Sequence, residues 1–508
     1  MRSRSPERPD QRNDDSEAAP RNDGRMVGLA SPSMREPVLH AFSDDALGDA
    51  DAVELARRIR AREVTAAEVL DAVIARAEVV EPLAAVVIDA FASAMVEARA
   101  HVPDAGPGAF EGVPTFIKDQ IDVAGLPTRY GSEAHSGKRS ATRTDPIAQQ
   151  LFDMGMICAG KSSLPEYGFV PSTEFPSAAP TRNPWNSART AGGSSGGAAV
   201  LVASGVVPIA HAADGGGSIR VPASCCGLVG LKPSRGRLPH SGMHEPLVGL
   251  VTDGVVTRSV RDTAVYLAEA ERLDPAKRLA PVGLVIDPVT RPQRIGLVTE
   301  SPTGAVLDAP TRAAVRAAVE LLASLGHHVE EFRPPVDERF AEDFALVWST
   351  LALLTRETAA VRVDRNFDKA GLARFTHGLA DNARGSLRRV PGAVRRLRAS
   401  KATLAQVHPD LDIIVSPTVG QVPPELGELS IDQDFDELLP KLTEWTCFTP
   451  LANATGAPAV SLPLGFHEPT GMPIGVMFSA DLGRERALLA LALQIEQAAP
   501  FRRIQDQA

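Results

Sequence analysis

The chain has 508 residues, of which 44% are hydrophobic and 23% charged, a composition typical of a soluble globular protein with room for several domains or one large one. The formal net charge of −10 argues against a general nucleic-acid binder, so we expect a small-molecule partner. The 4 cysteines include no CxxC pair, which argues against a disulfide framework or a zinc site and favours the reducing cytoplasm.

The N-terminal segment 1–36 is predicted to be a disordered extension. It is rich in Arg, Asp, Pro and Ser and lacks the apolar run of a signal peptide. Ordered structure is expected over 37–508, beginning with helices at about 45–100, where apolar residues recur three and four apart. Thr65 and Glu68 form a T-x-x-E capping box that predicts the start of the second helix.

Short apolar runs separated by helical or loop stretches then predict an α/β fold with buried strands. We expect the catalytic core at about 105–260, with the remainder completing the sheet and a substrate pocket. Residues 311–332 predict a helix, a stop at Gly326 and a strand. No stretch reaches the roughly 18 apolar residues of a membrane span, so none is expected. The predicted strand segments are 112–118, 156–161, 205–214, 294–300, 411–417 and 457–464.

Residues 384–401 carry a basic cluster on a potentially amphipathic segment. A membrane surface or an acidic partner can bind such a cluster. A solvated helix face is the commoner explanation of the same pattern, and it is our interpretation here.

Two serines lie in glycine clusters, Ser194 in "TAGGSSGGAAV" and Ser218 in "DGGGSIRVPASCCG". The first cluster matches the G-x-S-x-G nucleophile elbow, but the preceding residues are polar and turn-like, with Pro184 where a strand is required. Ser218 is the better nucleophile, because consecutive glycines before a hydroxyl can form an anion-binding nest. The predicted oxyanion-hole donors are the backbone N–H groups of Gly215, Gly216, Gly217 and Ser218.

A serine nucleophile needs a base, and Lys118 follows the apolar run 113–117. Burial disfavours an ammonium and lowers the pKa of a lysine, so a lysine in this position can act as a neutral general base. Histidine is absent from these motifs. His211, His327 and His328 are therefore interpreted as core or surface residues.

The segments "GVPTFIKD", "PTRNPWN", "GGSSGG" and "DGGGSIRVPASCCGLVGLKPSRGR" together resemble the amidase signature family of serine hydrolases. Family-like features run from about residue 40 to the C-terminal "GMPIGVMFSADLGRE". The resemblance implies an α/β fold with a large mixed β-sheet covered by helices. It also implies a triad of Lys118 as base, Ser194 after a cis peptide as relay, and Ser218 as the nucleophile that carries the acyl group.

The resemblance assigns further residues to supporting roles. Ser195 is expected to hydrogen-bond within the network, Asp214 and Arg220 to brace the nucleophile loop, and Gly168 to lie near the bound acyl group. No cofactor or metal is expected, because the sequence lacks HExxH, clustered Cys and His ligands, a P-loop and a dinucleotide fingerprint. Candidate acyl-pocket residues are Phe175, Trp445, Cys447 and Phe448, with ordinary core packing as the alternative.

The predicted reaction is hydrolysis of a small or oligomeric carboxamide, with esters, urethanes and nylon-type oligomers as further substrates. The "DGGGSIR" form and "FTPLANATGAPAVSLPL" resemble the 6-aminohexanoate cyclic-dimer hydrolase branch. In the A subunit of glutamyl-tRNA amidotransferase, threonine usually replaces Gly215. An A-type subunit that needs a partner chain and a catalytically silent module are the alternatives, and the retained triad argues against the second. A homodimer is left open.

Overall fold

Helices and strands alternate along most of the chain. The computed structural model describes residues 36–507 except 104–107, 136–138, 240–245, 302, 337–338 and 407–409, so the predicted extension lies outside the described residues apart from its last one. The strands are β1 Val86–Asp89, β2 Pro114–Lys118, β3 Ile157–Ser162, β4 Arg182–Asn183, β5 Asn186–Thr190, β6 Ile209–Asp214, β7 Val229–Lys232, β8 Thr252–Thr257, β9 Arg294–Leu297, β10 His328–Glu331, β11 Ile413–Pro417, β12 Ala459–His467 and β13 Met472–Ser479. The helices are α1 Ala52–Arg60, α2 Ala66–Val79, α3 Phe91–Ala100, α4 Pro146–Asp153, α5 Gly196–Ala203, α6 Arg220–Cys226, α7 Val260–Leu273, α8 Ala309–Ser324, α9 Arg339–Arg362, α10 Arg374–Gly385, α11 Val390–Ala405, α12 Phe435–Trp445, α13 Pro450–Thr455 and α14 Glu485–Ala498.

The main sheet has 8 strands in the order β10-β9-β11-β13-β12-β7-β8-β6. Strands β10, β9 and β11 are mutually parallel, whereas the remaining neighbours pair antiparallel, so the sheet is mixed. The predicted α/β class is therefore confirmed. Each of the predicted strand segments forms a strand, namely β2, β3, β6, β9, β11 and β12.

A smaller sheet, in the order β1-β3-β2, continues the structure beside β6. The Thr115 hydroxyl of β2 donates to the carbonyl of Ile209 at 3.0 Å. The backbone N–H of Lys118 donates to Nδ1 of His211 at 3.3 Å. These two contacts place the last residue of β2 next to β6, whose own end leads into the glycine-rich loop of Ser218.

Local sequence signals explain where several helices begin and end. Thr65 and Glu68 form the predicted capping box at the start of α2. Asp308 accepts the backbone N–H of Thr311 at the start of α8. Gly326 follows this helix with φ +86°, a left-handed conformation that favours glycine, and β10 begins two residues later. The predicted helix, stop and strand over 311–332 are confirmed.

The long helix α9 packs against α10 and the basic segment in α11. Among the described residues it is the one helix that is long and apolar enough, by length and composition alone, to cross a membrane. Its acidic side chains pair with the basic segment, Arg396 with Asp343 at 2.6 Å and Arg389 with Glu342 at 3.2 Å. Arg389 and Arg396 of the basic segment thus form ion pairs with acidic residues of α9.

Candidate active site

The lysine at the end of β2 is fully enclosed by protein. Lys118 is 1% exposed, and its Nζ lies 2.7 Å from Oγ of Ser194 and 3.4 Å from the carbonyl oxygen of Ala213. Burial lowers the pKa of Lys118 to about 7, although the carboxylates of Asp253 and Asp214 oppose the shift. Lys118 is therefore able to hold or release a proton near neutral pH.

Asp119, the residue after Lys118, forms an ion pair with a different lysine. Asp119 lies 3.0 Å from Nζ of Lys161, and both side chains are buried. Successive residues of an extended segment point to opposite faces, which is why Asp119 and Lys118 diverge. The expectation that Asp119 does not pair with Lys118 is confirmed, and without that neighbour as a counter-ion the ammonium form of Lys118 is stabilised less.

The first glycine cluster positions Ser194 against this lysine. The peptide bond between Gly193 and Ser194 is cis, as the resemblance implies. Oγ of Ser195 accepts the backbone N–H of Ala213 and donates to its carbonyl, both at 3.2 Å. Ser195 therefore ties the segment of Ser194 to the end of β6, which brings the two glycine clusters together.

The second cluster forms the loop between β6 and α6. Ser218 is 8% exposed and lines one pocket together with Lys118 and Ser194. The N–H of Gly217, one of the predicted oxyanion-hole donors, already donates to Oδ1 of Asp214 at 2.8 Å. In the part of the chain that the structure describes, the N–H groups of Gly215, Gly216 and Ser218 donate to no protein group. These three remain candidate donors.

A buried ion pair anchors the nucleophile loop. Arg220 donates from Nε and Nη2 to the two carboxylate oxygens of Asp214, each at 2.9 Å, and both side chains are completely buried. The Asn453 amide donates to Asp214 Oδ1 at 2.8 Å, and the Thr449 hydroxyl donates to the Gly216 carbonyl at 2.6 Å. Sequence reasoning did not identify Asn453 and Thr449, although both lie in the segment "FTPLANATGAPAVSLPL" that carried part of the resemblance.

Replacing Arg220 by Met is expected to destabilise the fold strongly. Asp214 would be left as a buried carboxylate without its cation, and breaking a buried pair in this way costs about 3–5 kcal/mol. The matched control is Arg374→Met, because the Arg374–Asp434 pair is 62% and 59% exposed and such surface pairs contribute about 0–1 kcal/mol. Urea unfolding of both variants measures the difference. Similar losses in the two would contradict the bracing role of Arg220.

Gly168 lies directly beside Ser194. Its φ is +71°, and a Cβ built on it would lie 2.8 Å from Oγ of Ser194 and 3.7 Å from Oε1 of Gln120. Real Cβ atoms do not approach an oxygen so closely, so any side chain here displaces Ser194. Gly168 thus lies beside Ser194, and its place near a bound acyl group stays a prediction.

The variant Gly168→Ala is expected to lose activity out of proportion to stability. A left-handed conformation costs an L-residue about 1–2 kcal/mol, and a displacement near 1 Å at a catalytic group can reduce the rate by about 10²-fold. Gly326→Ala is the matched control, because Gly326 has φ +86° and open space around its Cβ position. Thermal unfolding and kcat of both variants should show similar destabilisation but a loss of turnover in Gly168→Ala alone. Equal kcat values would show that the contact with Ser194 is unimportant.

Two pockets open on Ser218. The polar pocket encloses about 1390 Å³ including its open mouth, and besides Ser218 it is lined by Lys118, Ser194, Tyr130 and Tyr167. The apolar pocket encloses about 820 Å³ on the same measure and is lined largely by carbon. Its walls include Val221, Phe344, Phe375, Leu439 and Leu442. Gly168, Phe169, Ser218 and Trp348 line both pockets and mark where they meet.

The predicted acyl-pocket residues lie in different places. Cys447 lines the apolar pocket. Phe175, Trp445 and Phe448 line neither pocket beside Ser218. Trp445 is buried and its Nε1 donates to the carbonyl of Gln421, so core packing accounts for it. The walls come instead from α9 and α12, whose apolar residues carry no motif that distinguishes them from ordinary helix residues.

Among the described residues, no histidine lines either pocket beside Ser218. His211 is buried under Lys118, where its Nε2 lies 3.3 Å from Oδ1 of Asp253. His327 accepts the N–H of Gln293 at a distant edge of the main sheet. Among the described residues, no group of three His, Cys, Asp or Glu side chains could hold a metal ion.

Known proteins resemble this chain over most of its length. The model of the family described as Amidase matches residues 68–489. The candidate amidase AmiC of Mycobacterium leprae (strain TN) is 45% identical over 470 residues, which cover 92% of this chain and 99% of that protein. The 6-aminohexanoate-cyclic-dimer hydrolase of Paenarthrobacter ureafaciens is 33% identical over 479 residues, covering 89% and 95%.

Solved structures give the same result for the fold. The structure of a 6-aminohexanoate cyclic dimer hydrolase complexed with substrate superposes with a TM-score of 0.83 at 32% identity, covering 91% of this chain and 99% of that one. A bacterial aryl acylamidase described as an amidase signature enzyme superposes with a TM-score of 0.78 at 26% identity, covering 90% and 98%. The predicted arrangement of a large mixed sheet covered by helices is confirmed.

Proposed function

The chain belongs to the amidase signature family, whose members hydrolyse amides, and we propose that it does so through an acyl-enzyme on Ser218 with Ser194 and Lys118 as its proton relay. The observation that carries this proposal is the hydrogen bond of 2.7 Å between Lys118 Nζ and Ser194 Oγ, in a pocket that Ser218 also lines. A lysine whose pKa is near neutrality is able to accept a proton at working pH.

Acylation begins when Oγ of Ser218 attacks the amide carbon. The proton of Ser218 passes to Ser194 while the proton of Ser194 passes to neutral Lys118, so one positive charge appears on Lys118. The carbonyl oxygen becomes an oxyanion, which the unused N–H groups of Gly215, Gly216 and Ser218 stabilise. Collapse of this intermediate breaks the C–N bond, and the relay returns its proton to the leaving nitrogen.

Deacylation reverses the relay with water in place of the amine. Water attacks the ester carbon of acylated Ser218 and gives its proton through Ser194 to Lys118. The oxyanion then collapses, the bond to Ser218 breaks, and the proton returns to Ser218 Oγ as the carboxylic acid leaves. The enzyme ends in its starting state, and neither step needs a cofactor.

The substrates we propose are small or oligomeric carboxamides, with esters, urethanes and nylon-type oligomers as further candidates. The similarity to 6-aminohexanoate-cyclic-dimer hydrolase makes that cyclic dimer one compound to assay. A test is to assay the purified chain against aryl amides, linear amides, esters and nylon oligomers. Turnover by the chain alone supports a stand-alone amidase.

The alternative is an amidotransferase A-type subunit. It predicts no turnover by the purified chain and activity only after a partner chain is added. Amide hydrolysis that is unchanged by a candidate partner would remove this alternative, whereas strict dependence on one would overturn the stand-alone enzyme.

A further inference from the structure

The two pockets on either side of Ser218 differ in which catalytic groups they contain. Lys118 and Ser194 line the polar pocket and do not line the apolar pocket. In amide hydrolysis the leaving nitrogen must receive a proton, and proton transfer requires the donor to lie within hydrogen-bonding distance of it. The nitrogen therefore lies on the side of Ser194.

The acyl half must then extend the other way. The carbonyl carbon is bonded to Ser218 in the intermediate, and its remaining substituents point away from one another. If the amine half occupies the polar pocket, the apolar pocket is the space that receives the acyl chain. This assignment rests on the proposed function, because it uses Ser194 as the proton donor.

The described residues that line the apolar pocket include no side chain that could balance a charge. Its described lining contains no Asp, Glu, Lys, Arg or His. Cys447 is the one ionisable side chain among these lining residues, and burial raises the pKa of its thiol to about 11, so it is neutral at working pH. An ionised acyl chain would lose its hydration there without gaining a partner, whereas a hydrocarbon chain gains from leaving water.

We propose that the enzyme is selective for amides of uncharged hydrocarbon acids and discriminates against acyl groups that carry an ammonium or a carboxylate. Among nylon-type oligomers this selectivity favours the uncharged cyclic dimer over a linear dimer whose acyl half carries an ammonium. The acyl chain lies between α9 and α12, against Phe344, Leu439 and Leu442, and the amine half lies in the polar pocket. Acyl selectivity is thus set by helices outside the glycine-rich motifs.

The test uses three p-nitroanilides with the same leaving group and a six-carbon acyl chain, namely those of hexanoic acid, 6-aminohexanoic acid and adipic acid. We expect kcat/KM for the hexanoyl compound to exceed both others by about 100-fold or more, because each charged chain is desolvated without a partner. A charged compound that is hydrolysed within about tenfold of the hexanoyl compound would overturn the proposal.

Failure of the proposed function would look different. If an active-site phosphonate does not label Ser218, no acyl-enzyme forms there. That result would overturn both the proposed function and the acyl selectivity. Labelling of Ser218 without turnover of any of the three anilides would contradict the acyl selectivity alone, since the hexanoyl compound should be a substrate.

Matched threonine variants test which pocket holds which half. Thr443 lines the apolar pocket and Thr358 the polar pocket, and each hydroxyl donates to the carbonyl four residues earlier at 2.8 Å. Thr443→Asp places a carboxylate where the 6-aminohexanoyl ammonium would lie, so the ratio of 6-aminohexanoyl to hexanoyl turnover should rise by about tenfold or more. Thr358→Asp should leave that ratio unchanged. A shift in Thr358→Asp alone would show that the two halves occupy the opposite pockets.

Discussion

Ser218→Ala is expected to abolish turnover while the fold is retained. The variant lacks the atom that carries the acyl group, and loss of a serine nucleophile reduces kcat by on the order of 10⁶-fold in a comparable hydrolase. Ser218 lines a pocket and loses a single oxygen, so no cavity opens in the core and the free energy of unfolding should change by no more than about 1 kcal/mol. Steady-state kinetics and thermal unfolding measure the two quantities.

Ser195→Ala is the control for this change. Ser195 lies next to Ser194, but among the described residues its hydroxyl bonds only to the backbone of Ala213. Its loss should weaken the support of β6 and leave measurable turnover. If Ser195→Ala is as inactive as Ser218→Ala, the two variants together would not identify Ser218 as the nucleophile.

Lys118 is expected to control the pH dependence of the reaction. Burial lowers its pKa to about 7, and in the proposed mechanism the neutral amine is the active form. The rate should therefore fall about tenfold for each pH unit below 7 and reach a plateau above it. In Lys118→Ala this ascending limb should disappear together with about 10²–10⁴-fold of the rate, which is the usual contribution of a general base.

Lys118→Arg separates proton transfer from charge. A guanidinium keeps a cation near Ser194 but does not deprotonate in the working range, so this variant should be no more active than Lys118→Ala. Lys232 is a second buried lysine whose pKa burial lowers to about 7. Its Nζ donates to the carbonyl of Pro233 and not to a serine, so the two lysines differ in their hydrogen-bond partners and not in the direction of their pKa shifts. An ascending limb that persists in Lys118→Ala would assign the base to another group.

The sequence predicted features that depend on neighbouring residues. Runs such as 205–214 form strands because their own apolar and β-branched residues favour burial, and Gly326 ends α8 because it alone tolerates the turn. The separate faces of Lys118 and Asp119 follow from strand geometry. The contact between Lys118 and Ser194 joins residues 76 positions apart, and only the family resemblance suggested it.

The parts that sequence reasoning missed depend on tertiary contacts. The sequence pattern placed Gly217 among the oxyanion-hole donors, whereas in the folded loop its N–H donates to Asp214. Trp445 is a large aromatic near Cys447 in sequence, but its position on α12 points it into the core while Leu442 reaches the pocket. Phe344 and Trp348 lie on α9, whose packing over Ser218 is set by the whole fold.

The most direct test of the central claim is to locate a covalent adduct by peptide mass spectrometry after treatment with a serine-reactive phosphonate. We expect a single modified residue, Ser218, with labelling reduced in Lys118→Ala because the base no longer activates the hydroxyl. Modification of Ser194 instead of Ser218 would identify the first glycine cluster as the nucleophile site and would contradict the account.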